Sequence, residues 1–141
     1  MNSIFNKIPI PWSFNRLRKL AGVNPLVVNY HVVSDHFLPH VNNIYNYRDT
    51  ETFTRDIDFL TSRFRIINLQ RLLDHLKTGK KLPDNAAIIT IDDGLREVYD
   101  VMAPVLKRKF IEPVLFLTKN YVDNKELGYD HRKSLVINRI N

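Results

Sequence analysis

The stretch Ala86-Ala87-Ile88-Ile89-Thr90-Ile91-Asp92-Asp93-Gly94 decides how this chain is read. A run of apolar and β-branched residues with no alternation describes a strand buried on both faces. Two adjacent carboxylates end it, and a glycine follows at once. Like charges placed together are costly unless something uses them. The glycine permits a positive φ or a close backbone approach, so the chain can turn sharply here. On a regular strand Asp92 and Asp93 would point to opposite faces; a turn at Gly94 lets both face one mouth.

Working outward, the neighbouring segments alternate between strand and helix. Leu26 to Val33 is rich in β-branched and aromatic residues and reads as a strand. Ser34 to Asp49 is polar, contains Pro39, and reads as a long loop. Phe53, Ile57, Leu60 and Phe64 recur at helical spacing after a start at Thr50 or Thr52. Arg65 to Leu69 is a short strand. Leu69, Leu72, Leu73 and Leu76 stripe the next helix, with Gly79 as its C-cap. Beyond the acid pair, Leu95 to about Lys109 is a helix that Pro104 should kink or split. Pro113 to Thr118 is a fourth strand, Asn120 to Gly128 a loop, and His131 to Ile140 a last helix. The pattern predicts an α/β fold with a parallel sheet covered by helices. In such folds the chemistry lies beyond the C-terminal strand ends, where Asp92, Asp93, Asp35 and His36 fall.

Composition narrows the classes. The 141 residues suffice for one domain; 44% are hydrophobic and 26% charged, as in ordinary globular chains. The net charge of +6 comes from 21 Lys and Arg against 15 Asp and Glu. These basic residues are scattered, which reads as a solvated surface and gives no support for nucleic-acid binding. With no cysteine, disulfides and thiolate metal sites are excluded. No apolar run approaches the ~20 residues of a membrane span. Pro9 and Pro11 interrupt the apolar residues that a signal peptide would need, so a cytoplasmic chain is expected. Residues 1–24 form an N-terminal segment in which Ser13 to Leu20 can make a short basic amphipathic helix. Membrane-surface contact by that helix is a weaker reading than packing on the domain. Residues 25–141 form the domain.

From residue type and spacing alone, two readings of the acid pair stay open. In one, Asp92 caps the following helix and Asp93 is solvated in its first turn. In the other, the two carboxylates divide a hydrolytic task. One holds a divalent metal that acidifies bound water, and its neighbour takes the proton.

The surroundings of the pair resemble the polysaccharide deacetylase family. Thr90-Ile91-Asp92-Asp93-Gly94 is similar to that family's first motif, with isoleucine where phenylalanine is usual. LVVNYHVV, residues 26–33, resembles its first strand with a tyrosine–histidine pair. FTRDIDFLTSRFRIINLQRLLDHL, residues 53–76, resembles the helix-strand-helix before the motif. LREVYDVMAPVLKRKFIEPVLFLT, residues 95–118, resembles the helix, its proline and the next strand. The resemblance covers about Pro25 to Thr118. It implies the first half of a distorted (β/α) barrel, with about four parallel strands. It also implies a metal-dependent hydrolase that removes N-acetyl groups from a polysaccharide or amino-sugar glycan. Asp92 is then the general base, Asp93 a ligand of a divalent metal, commonly zinc, and Tyr30, His31 and Gly94 line the site.

The same resemblance implies two more histidine ligands, in a histidine–serine/threonine–x–x–histidine motif downstream. No such motif stands in the 141 residues. This predicts an N-terminal part of a deacetylase that is a poor catalyst alone, with open sheet edges through which copies can associate. The alternative is a non-catalytic fragment of the same fold. An acidic phosphotransfer receiver fits poorly, because here the acid pair follows the third strand. Of the histidines, His31 follows Tyr30 at a strand end. His36 and His40 are expected in solvent, with Pro39 against a helix there. His75 falls at a polar helix edge, and His131 beside Arg132 and Lys133 is a poor place for a cation.

Overall fold

The computed structural model describes residue 22 and residues 24–140. The basic helix expected at Ser13 to Leu20 lies outside them. The order is β1 (Leu26–Tyr30), α1 (Thr50–Arg63), β2 (Arg65–Ile66), α2 (Leu69–Thr78), β3 (Ala86–Asp93), a wide helical turn (Val98–Met102) running into α3 (Ala103–Arg108), β4 (Val114–Leu117), a 3-10 turn (Lys119–Asn124) and α4 (Tyr129–Ile140).

The whole sheet is built on β3. β1 pairs with it in parallel from Leu26↔Ala87 to Tyr30↔Ile91. β2 pairs beside its first residues and β4 beside its last, from Thr90↔Val114 to Asp93↔Leu117. Because β3 lies inside, Ala86 to Ile91 are all buried, which is why the segment shows no polar alternation.

The sheet's two faces have different cover. Ala87, Ile89 and Ile91 meet Phe53, Ile57 and Leu60 of α1 and Val105 and Leu106 of α3. Ala86 and Ile88 meet Ile67, Leu82 and Leu72. Each of the fully buried isoleucines contributes roughly 1.5–3 kcal/mol. A third cluster, Val32, Leu38 and Val41 with Tyr45, Tyr47 and Leu95, fixes the long loop against the top of the sheet.

Local chemistry explains the helix ends. Asp49 caps α1 by accepting from Thr52 N at 2.6 Å. Asp35 accepts from Thr50 N at 2.7 Å and Thr50 Oγ1 at 2.8 Å, bonds that hold its carboxyl below the usual range. Asp35, flagged by its place after the first strand, is therefore a second anchor of the α1 start. Gly79 ends α2 at φ +72°. Pro104 does not split its helix: the backbone stays helical through Met102 and Ala103, and the proline follows a wide turn in which Ala103 N–H reaches back to Val98 O, one residue further than an α-helical bond. β1 stops at Tyr30, three residues short of its expected end, and Val33 makes only an isolated bridge with Arg48.

Candidate active site

The acid pair sits where β3 leaves the sheet. Asp93 has φ +67° and Gly94 φ +69°, and Gly94 N–H closes a three-residue turn onto Asp92 O at 2.8 Å. The turn therefore begins at Asp93 itself, one residue before the glycine. Aspartate is among the few residues that tolerate this region. A Cβ at Gly94 would also meet Leu117 Cδ2 of the neighbouring strand, the tip of an exposed side chain.

The two carboxylates lean on opposite neighbours. Asp92 turns toward β1. Its Oδ2 accepts from Asn29 Nδ2 at 2.9 Å and lies 3.5 Å from His31 Nε2. Asp93 turns toward β4, where its Oδ1 accepts from Thr118 Oγ1 at 3.0 Å and its carbonyl accepts from Thr118 N at 3.3 Å. Separate partners are how two adjacent acids are tolerated at one strand end. Asp92 is 35% exposed, so water reaches it.

Two tyrosines feel the charge of Asp93. The Tyr45 ring lies 5.2 Å from that of His31, tilted by 54°, and its hydroxyl is buried with no hydrogen-bond partner among the described residues. Burial first, and the Asp93 charge second, push its phenol up to about 12. The same two causes, in the same order, raise Tyr121.

The expected site residues are thus placed as follows. His31 stands just past β1 against Asp92 and Tyr45. Tyr30 stands on the helix-covered face, edge-on to the Phe53 ring at 5.0 Å. Burial raises its phenol to about 12, and Asp56 adds to the shift. Both Tyr30 and His31 also border a cleft of about 510 Å³ along β1, together with Asn29, Tyr45, Tyr47 and Arg48. That volume suits a small ligand.

The remaining histidines are not gathered at the pair. His75 Nδ1 meets Lys80 O at 2.9 Å beyond α2, and the His36 backbone bonds to Ser34 and Tyr47. His40 differs from expectation. It is half-buried at 5.7 Å from the His131 ring, and burial lowers its proton affinity. His131 is only 4% exposed, and its Nδ1 meets His40 O at 2.9 Å. Ser134 and Asn138 lie on the same helix face and bond to Pro39 O at 2.7 and 2.6 Å. His131 therefore belongs to the seam that docks α4 on the long loop.

A hydrolytic metal needs about three protein ligands and an open position. Among the described residues no group of three His, Asp or Glu side chains is placed to hold one. Asp93 has one carboxylate oxygen bonded to Thr118 and does not stand in such a group. Sequence reasoning missed Asn29, Thr118 and Tyr45. An asparagine inside an otherwise apolar strand was the available signal for the first.

No family profile matches the chain, and no curated protein does. Solved structures do. A de-N-acetylase from Aggregatibacter actinomycetemcomitans is 21% identical with a TM-score of 0.59, over 70% of this chain and 39% of that one. IcaB from Ammonifex degensii is 27% identical with a TM-score of 0.56, over 65% and 37%. The Streptococcus pyogenes deacetylase PplD, solved in complex with acetate, is 14% identical with a TM-score of 0.58, over 79% and 51%. The matched region is thus about two-fifths to half of each solved chain's length. In its described residues this chain has the polysaccharide deacetylase fold, as a partial α/β barrel whose four-stranded parallel sheet is not closed.

Proposed function

We propose that this chain supplies the carboxylate pair of a hydrolase that removes N-acetyl groups from an amino-sugar glycan. The observation that carries the reading is the division of the pair: Asp92 is reachable by water and braced at one oxygen, while Asp93 is turned away onto Thr118. Water attacks the acetamide carbonyl carbon, and Asp92 takes the proton that the water loses. The carbon–nitrogen bond then breaks, the proton passes to the departing amine, and acetate and the free amine result. Asp93 is the residue through which the chain would bind a divalent metal such as zinc, which polarises the carbonyl when bound. The described residues do not complete its ligand set, so no step here depends on it. The solved deacetylase neighbours support the reaction class, and acetate, held in one of them, is the product such a reaction releases.

The incomplete ligand set favours one other reading, a non-catalytic fragment of the same fold. Acetate release from an N-acetylglucosamine oligomer, with zinc present, separates the two. Slow release by the 141-residue chain, falling about 100-fold or more in Asp92→Asn, is the expected result. Equal rates in the two proteins, or none in either, would overturn the catalytic reading.

A further inference from the structure

Asn29 stands directly beside Thr90 in the β1–β3 register, and Asp92 follows on the same face of β3 two residues later. Thr90 Oγ1 donates to Asn29 Oδ1 at 2.7 Å, and Asn29 Nδ2 donates to Asp92 Oδ2 at 2.9 Å. The direction of this chain is fixed by its end. A carboxylate only accepts, so the amide must present its nitrogen to Asp92, and the Thr90 hydroxyl is left to donate to the amide oxygen. Bonds aligned in one direction polarise each other. His31 Nε2 approaches the same Oδ2 at 3.5 Å. Among the described residues no donor reaches Oδ1.

We propose that Thr90 and Asn29 form a positioning relay that selects the working oxygen of Asp92. Oδ2 is held, and Oδ1 is the oxygen that receives the proton. This rests on the deacetylase reading and adds to it the two residues that aim the base. Asn29 lies at an exposed position of a strand otherwise made of Leu26, Val27, Val28 and Tyr30, and its amide reaches both Thr90 and Asp92.

Two measurements test it, with separate failures. The first needs no activity. One side-chain amide proton of Asn29 should resonate downfield in the nuclear magnetic resonance spectrum. It should move upfield in Asp92→Asn and Thr90→Val, and keep its wild-type position in Thr90→Ser. An Asn29 signal indifferent to Asp92→Asn overturns the relay. The second is acetate release. Thr90→Val, which keeps the shape but loses the hydroxyl, should lower kcat about tenfold at unchanged KM. Thr90→Ser, which keeps the hydroxyl but loses a methyl, should retain the wild-type kcat. A packing role gives the reverse order and overturns the relay. A wild type that releases no acetate removes the deacetylase reading and the relay's catalytic role with it, while the amide signal still decides the hydrogen-bond chain.

Discussion

Thr118 holds Asp93 twice: its hydroxyl donates to the carboxylate at 3.0 Å and its backbone N–H to the carbonyl at 3.3 Å. The residue just after β4 thus holds both the backbone and the side chain of the residue that ends β3. Thr118→Val keeps the backbone bond and removes only the hydroxyl. It should leave the melting temperature nearly unchanged and weaken zinc binding by about tenfold. A titration followed through backbone amide shifts would show this, and unchanged zinc affinity would mean that Asp93 needs no such support.

Gly94 and Gly79 share a positive φ but not a surrounding. Nothing lies within 4 Å of a Cβ added at Gly79, whereas at Gly94 it meets the side chain of Leu117. Leu117 is largely exposed and can swing aside, so the backbone term decides the stability of both variants. Gly94→Ala and Gly79→Ala should each cost about 1–2 kcal/mol in urea unfolding. Only Gly94→Ala should disturb the Asp93 and Thr118 amide signals.

Much of this was open to sequence reading because the relevant physics is local. Helical spacing at Phe53, Ile57 and Leu60 and the cap glycine at 79 each act within a few residues of themselves. The acid pair was legible for the same reason, as a costly feature at a strand end. Asn29, Thr118 and Tyr45 were not, since each acquires its role across the sheet or from the loop, where only the register decides which side chains meet. For His131, the sequence neighbours Arg132 and Lys133 speak against a bound cation but do not say what the ring packs on. On a helix its companions are Ser134 and Asn138, and that face is the one buried against Pro39 and His40.

Alkaline pH should weaken the fold through two phenols. Tyr30 and Tyr45 keep their protons up to about 12, against 10.0 for an unperturbed tyrosine. Between those values the folded chain binds more protons than the unfolded chain. Their contribution is therefore complete below pH 10 and falls as pH rises toward 12. Unfolding free energies measured across this window should decline, and Tyr30→Phe and Tyr45→Phe should each flatten the decline. A profile that rises with pH would contradict the burial of these hydroxyls.

β4 exposes an apolar edge: Leu115 is 42%, Phe116 56% and Leu117 60% exposed. Edge strands of this kind pair with other chains unless covered. Covering one such side chain contributes roughly 1.5–3 kcal/mol. The 141-residue chain should self-associate in sedimentation at micromolar concentration, and Phe116→Lys should return it toward the monomer. A wild-type monomer with a sharp, high melting transition would show that these residues need no cover.

The separate duties of Asp92 and Asp93 are tested most directly by zinc titration of the wild type, Asp92→Asn and Asp93→Asn, followed through the amide shifts of residues 90–94 and 118. An amide keeps the shape of the carboxylate but loses the charge that holds a dication. The wild type should bind zinc weakly and exchangeably, Asp92→Asn should bind it as the wild type does, and Asp93→Asn should not bind it. Equal loss in both variants, or binding that survives in Asp93→Asn, would contradict the division of the pair.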